Sequence, residues 1–302
     1  MSSEKSKPDI AKRDTDSTLD RRKFMVAGTA GIAGSLMAGL GVQSAVAQTT
    51  QTHPSDKKRV CLLLDTETHM MPALAKEMAT RNHNLVIGNV KDGLPDELEK
   101  LGALVEVVPG NLDMTKPDAI QSMVDAAQKR FGRLDSSCIR TGYHDTGDIM
   151  NITTDDAQKL YEGNLLSVVY ALQALLKPMM AQGSGQIVIN TSASGLRPAP
   201  AGAMYSACRA GANMLVRNAA LTAGPKGVTV NATGTYAMDY PGFINDVGAQ
   251  DPAVRKQVEA TLPLGRFVEP AEAAHFVATL IDGVGTGQTA QFFAIDNGWA
   301  FQ

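Results

Sequence analysis

From residue 58 onward, short apolar runs alternate with amphipathic stretches, and that alternation limits the folds open to the chain more than any other feature. Runs at 60–64, 85–88, 104–107, 137–139, 186–190, 228–233 and 291–295 are too short for helices and read as strands. Between them, 72–81 reads as a helix. Thr115 caps another, in which Ile120, Met123, Val124 and Ala127 follow the i, i+3, i+4, i+7 pattern. A long helix is expected over 155–176, stopped by Pro178, and a further one between 190 and 228. Strands fully apolar on both faces and joined by helices form a parallel sheet covered on both sides. In such a sheet the site lies beyond the carboxyl ends of the strands.

The first fifty residues do not belong to that pattern. Arg21-Arg22-Lys23-Phe24 precedes a mildly apolar, Gly/Ala-rich run and then Ala45-Val46-Ala47, which describes a twin-arginine signal peptide over residues 1–47, cleaved after Ala47. Residues 48–57 read as a polar linker and 58–302 as one folded domain. The expected location is therefore the periplasm, and the twin-arginine export machinery is an expected partner of the leader. With 28 Lys+Arg against 31 Asp+Glu, the net charge of −3 excludes a polybasic nucleic-acid binder and leaves a small-molecule substrate as the expected ligand. Three cysteines make no disulfide scaffold, and His53, His69, His83, His144 and His275 show no metal-ligand spacing, so no metal is expected.

The chemistry is concentrated between residues 186 and 233. Ser192 follows an apolar strand, Tyr205 lies thirteen residues later on a helix, and Arg209 lies four beyond it on the same face. Asn164 sits in Gly163-Asn164-Leu165 of the preceding long helix. With the VNA run at 230–232 and the Gly265-Arg266-Phe267 and Asp296-Asn297-Gly298-Trp299 segments, this arrangement resembles the short-chain dehydrogenase/reductase superfamily across 58–302. The resemblance implies a single Rossmann-like, doubly wound parallel sheet of about seven strands with helices on both faces. It implies Ser192, Tyr205, Arg209 and Asn164 as catalytic residues. It also places Tyr236, Met238, Tyr240 and Phe243 in the substrate loop after the sixth strand, and implies a homodimer or homotetramer.

Two departures shape the functional expectation. Arg209 stands where the family has lysine. The glycine-rich turn after the first strand reads Leu64-Asp65-Thr66-Glu67-Thr68-His69-Met70-Met71, so carboxylates, a histidine and thioethers replace the glycines that let backbone approach a pyrophosphate. A Ser-Tyr-Arg set without a nucleotide turn is similar to the halohydrin dehalogenases. That resemblance implies a cofactor-independent lyase closing or opening epoxides on small vicinal halo-alcohols. Tyr205 would take the hydroxyl proton, Ser192 would hold the oxygen, and the guanidinium would favour the phenolate. On this reading no cofactor is expected, Asp65, Glu67, His69 and Met71 discourage a dinucleotide, and His69 joins the substrate pocket. Two alternatives stay open. One is a divergent NAD(P)-dependent alcohol or carbonyl oxidoreductase, and the other a non-catalytic binding protein on the same fold.

Overall fold

The computed structural model describes residues 58–144, 147–199 and 201–301; the expected leader and linker lie outside them. Seven strands form one parallel sheet in the order β3-β2-β1-β4-β5-β6-β7. They are β1 (Arg59–Leu64), β2 (His83–Gly88), β3 (Val105–Val108), β4 (Ser136–Arg140), β5 (Gly185–Asn190), β6 (Val228–Thr235) and β7 (Phe292–Ile295). β1, β2 and β5 are buried along nearly their whole length, as their unbroken apolar runs require. The expected doubly wound sheet is the fold observed.

One face carries α1 (Met71–Thr80), α2 (Leu94–Lys100) and α9 (Pro270–Ile281), which bury Leu74, Met78, Leu98 and Val277 against Leu63, Leu85 and Ile87. The other carries α3 (Pro117–Phe131), α5 (Ser167–Gln182) and α6 (Ala203–Ala223), packed on Leu62, Leu64, Ile139 and Ile187. The chain runs from β1 outward to β3, then returns to β4 beside β1. The point of reversal is thus the β1/β4 boundary, whose carboxyl ends open the crevice where sheets of this kind bind ligands. Over β6 and β7, a third apolar cluster of Phe267, Leu262 and Trp299 with Tyr236 and Phe243 roofs the same end.

Three local expectations need correction. Thr115 does not cap α3: its hydroxyl and N–H both bond Asp113 Oδ1, and the helix opens at Pro117, whose fixed φ suits a first helical position. Pro178 does not stop the long helix, which continues to Gln182 and ends at left-handed Gly183. A proline removes one backbone bond, and fully buried Leu175 and Met179 on either side keep that last turn packed. That long helix is also not uniform: α4 (Thr154–Tyr161) passes into a π-turn at Glu162–Leu166 before α5, and Asn164 sits in the turn.

Candidate active site

Ser192 leaves β5 in extended conformation, and its Oγ accepts from Ser194 N at 3.1 Å, which fixes the hydroxyl at the mouth of the crevice. Tyr205 and Arg209 project one helical turn apart from α6. Ser192, Tyr205 and Arg209 all line the same cavity. Arg209 Cζ lies 5.0 Å from the Tyr205 ring centroid, and His144 packs edge-on against the same ring at 5.2 Å. The structure therefore brings Ser192, Tyr205 and Arg209 into one cluster. Asn164 is fully buried beside it rather than on the cavity wall, with Nδ2 donating to Tyr143 O at 2.8 Å and Leu160 O at 2.9 Å.

Three tyrosines line the cavity, and their acidities separate. Burial raises Tyr236 and Tyr240 above the ordinary phenol value, with nearby arginines only partly offsetting it. Burial also pushes Tyr205 up, but the Arg209 charge, the hydrogen bonds from Ser192 and Arg209, and the Arg140 charge outweigh it. Tyr205 is held below the ordinary value. Of the three, Tyr205 is the one whose surroundings favour the phenolate.

The cavity measures about 290 Å³. All five residues expected to form the pocket (His69, Tyr236, Met238, Tyr240 and Phe243) line it. Sequence reasoning had not assigned Arg140, Thr141, Gly142, His144 and Thr235 to this wall. Their common signal was position, since all but His144 sit at or just beyond a strand's carboxyl end.

The turn after β1 is built differently from the sequence expectation. Asp65 and His69 adopt left-handed backbone, at φ 63° and 60°. Asp65 forms an ion pair with Arg140 across the β1/β4 boundary. His69 Nε2 lies 3.2 Å from Thr235 Oγ1, its ring packs edge-on to Tyr240, and burial, followed by the Arg140 and Arg209 charges, lowers its pKa to about 3. Glu67 is exposed. Met70 and Met71 are wholly buried in the core under α1, so the thioethers do not obstruct the crevice as the sequence implied. What lines it there are Arg140 and His69, with Asp65 paired to Arg140. Among the described residues no group of three His, Cys, Asp or Glu side chains is arranged to hold a metal, and Cys61, Cys138 and Cys208 are buried free thiols.

A family model described as enoyl-(acyl carrier protein) reductase matches residues 71–300. Cis-4-hydroxycyclohexanecarboxylate dehydrogenase of Sinomonas cyclohexanicum is 29% identical over 244 residues, 80% of this chain and 96% of that protein. A 4-formylbenzenesulfonate dehydrogenase of Comamonas testosteroni is 30% identical over 188 residues, 62% of this chain and 75% of that protein. Among solved structures, actinorhodin polyketide ketoreductase with NADPH shares the fold at a TM-score of 0.74 and 22% identity, covering 81% of this chain and 98% of that one.

The expectation of a cofactor-free protein does not stand against these relatives, which are dehydrogenases by name, with NADPH bound in the ketoreductase. The two ends of the crevice differ in how they meet a nicotinamide dinucleotide. The Ser192–Tyr205–Arg209 end suits a reacting carbon and its oxygen. In the Asp65–Met70 turn the Asp65 carboxylate is paired with Arg140, and Pro72 in the first turn of α1 removes one backbone donor, so a pyrophosphate there would meet fewer N–H groups than a glycine-rich turn offers. The match over residues 71–300 and the seven-stranded parallel sheet together establish that the chain belongs to the short-chain dehydrogenase/reductase superfamily.

Proposed function

We propose that the protein is an oxidoreductase interconverting a small cyclic alcohol and its carbonyl compound, with a nicotinamide nucleotide as the hydride partner and Tyr205 as the acid–base residue. The observation that carries this reading is the convergence of Ser192, Tyr205 and Arg209 on one cavity, with the Arg209 guanidinium 5.0 Å from the Tyr205 ring, where its charge holds that phenol's pKa below the ordinary value. The dehydrogenase relatives support it over an epoxide-forming lyase.

In the reducing direction the Tyr205 O–H and the Ser192 O–H both donate to the substrate carbonyl oxygen. The Tyr205 proton passes to that oxygen as charge develops on it. The Arg209 guanidinium stabilises the phenolate left behind. In the oxidising direction the phenolate takes the hydroxyl proton and Ser192 holds the oxygen. Tyr236, Met238 and Phe243 supply apolar walls that exclude water around a ring-sized substrate. Both relatives act, by name, on acid-bearing ring compounds.

The test is turnover of cyclic alcohols such as 4-hydroxycyclohexanecarboxylate with NAD⁺ or NADP⁺, with Tyr205→Phe as control. Nucleotide-dependent oxidation lost in Tyr205→Phe supports the reading, and no turnover with either nucleotide across the panel overturns it. We also propose that the protein works in the periplasm as a homodimer or homotetramer. An exported form beginning at Gln48, and its mass in solution, test those two points.

A further inference from the structure

The Arg209 guanidinium does not hang free beneath the phenol. Its Nη1 donates to Thr141 Oγ1 at 2.8 Å and its Nη2 to Thr141 O at 2.6 Å, so both arms of the fork end on one residue. Thr141 is itself fixed just past β4. Its N–H donates to Asn190 O at 3.2 Å, its hydroxyl leans on the same carbonyl at 3.3 Å, and it is 2% exposed. The next residue is Gly142 at φ +144°, where a Cβ would stand 2.1 Å from Arg209 Nη2 and 3.1 Å from its Cζ. The guanidinium therefore occupies space that any other residue at 142 would fill. A lysine ammonium is a point charge and cannot span these two acceptors as a planar fork does.

We propose that Thr141 and Gly142 form a positioning seat for the Arg209 guanidinium, holding the cation against Tyr205 and so setting the acidity of the phenol. The inference rests on the reading of Tyr205 as the acid–base residue. Two further features fit a seat specific for arginine. Arg209 Nε has no hydrogen-bond partner, so the terminal nitrogens carry the anchoring. Asn164 Oδ1, also without a partner, lies 3.4 Å from the Cβ position at 142, beside the space the fork fills, and leaves the anchoring to Thr141. The other groups facing Tyr205 come from separate elements: Ser192 after β5, Arg140 at the end of β4, His144 in the following loop, Tyr240 before α7 (Pro241–Val247) and His69 from the β1 turn. Of these, Ser192, Tyr240 and His69 lie on other segments of the chain, while Arg140 and His144 flank the seat, so agreement between Thr141→Val and Gly142→Ala is what assigns a change in phenol acidity to the guanidinium.

Ultraviolet titration of tyrosinate, taken as the difference from Tyr205→Phe, reads that acidity without any substrate or nucleotide. The seat predicts that Thr141→Val and Gly142→Ala each lower the phenolate-to-phenol ratio at fixed pH by about threefold or more. Thr141→Ser, which keeps the hydroxyl and the carbonyl, retains the wild-type titration, and Arg209→Lys behaves like Thr141→Val. A wild-type titration in both Thr141→Val and Gly142→Ala, with unfolding temperatures preserved, overturns the proposal. If Thr141→Val fails to fold, Gly142→Ala decides alone. A shifted titration in a protein that turns over no alcohol keeps the seat and rejects the oxidoreductase, so the two failures are distinct.

Discussion

His69 Nε2 lies 3.2 Å from Thr235 Oγ1, which ties the turn after β1 to the end of β6 across the ends of β4 and β5. The tie is made by a non-glycine residue in left-handed backbone whose other ring nitrogen is buried without a partner, and both features cost free energy. His69→Gly removes the ring from the crevice and suits φ 60°. Its expected outcome is nicotinamide-nucleotide binding at least about fivefold tighter by calorimetry, the equivalent of roughly 1 kcal/mol of relieved strain. Unchanged affinity would show that the turn does not limit access.

Buried neutral histidines make stability depend on pH. Burial first, then the Arg59 charge, lowers the pKa of His83 to about 4. Arg59 Nε donates to its Nε2, so Nδ1–H donates to Arg81 O and the ring is held neutral. Above the reference value of about 6.5 both folded and unfolded states are neutral and the site contributes nothing to pH dependence. As pH falls from there to about 4 only the unfolded chain takes up the proton, and stability is lost by about 3 kcal/mol. His69 acts in the same direction toward about pH 3. Chemical denaturation at pH 7.5 and 4.5 should show the loss, and His83→Gln should flatten it.

Much of this site was legible in the sequence because its parts are local. One helix face carries Tyr205 and Arg209, so their spacing puts those two side by side, and the resemblance to the short-chain dehydrogenase/reductase superfamily implied that Ser192, just past a strand, joins them. The Tyr236–Phe243 loop lines the cavity for the same reason, following β6 directly. What stayed hidden depends on side chains meeting from elements far apart in the chain. Arg209 rests on Thr141, 68 residues away, and Asp65 meets Arg140, 75 residues away. The absent glycines of the first turn were plain, but the direction of each replacement was not: Met70 and Met71 turn into the core while His69 turns across the crevice. Helices α7 and α8 (Pro252–Glu259) escaped because they are short and lack a buried apolar stripe.

Gly234 in β6 lies against the backbone of the Ser192 turn. A Cβ there would stand 2.5 Å from Ser192 C, 2.7 Å from Ala193 N and 2.3 Å from Phe292 Cζ. Backbone atoms cannot step aside as a flexible side chain can, so Gly234→Ala must displace the Ser192 hydroxyl. The expected result is a loss of about 1–3 kcal/mol in stability and about a hundredfold in turnover, read by denaturation and steady-state rates on the same preparation.

The single tryptophan is a built-in reporter on the pocket. Trp299 stacks on Tyr236 with ring centroids 4.0 Å apart, and Arg197 sits over the indole at 4.8 Å while donating to Trp299 O at 2.6 Å. Tyr236 lines the cavity, so a ligand pressing on it changes the indole's surroundings. A saturable change in fluorescence is expected on titrating a cyclic alcohol or ketone, with the change lost in Tyr236→Ala.

The central claim is that Tyr205 exchanges the substrate proton in a nicotinamide-linked oxidation. The most direct measurement is the rate of nucleotide reduction with a cyclic alcohol, compared between the wild type and Tyr205→Phe at matched stability. The account predicts measurable turnover in the wild type and a loss of at least about a hundredfold in Tyr205→Phe, the scale of a general acid–base contribution. Equal rates in the two proteins, or no nucleotide reduction by the wild type, would contradict it.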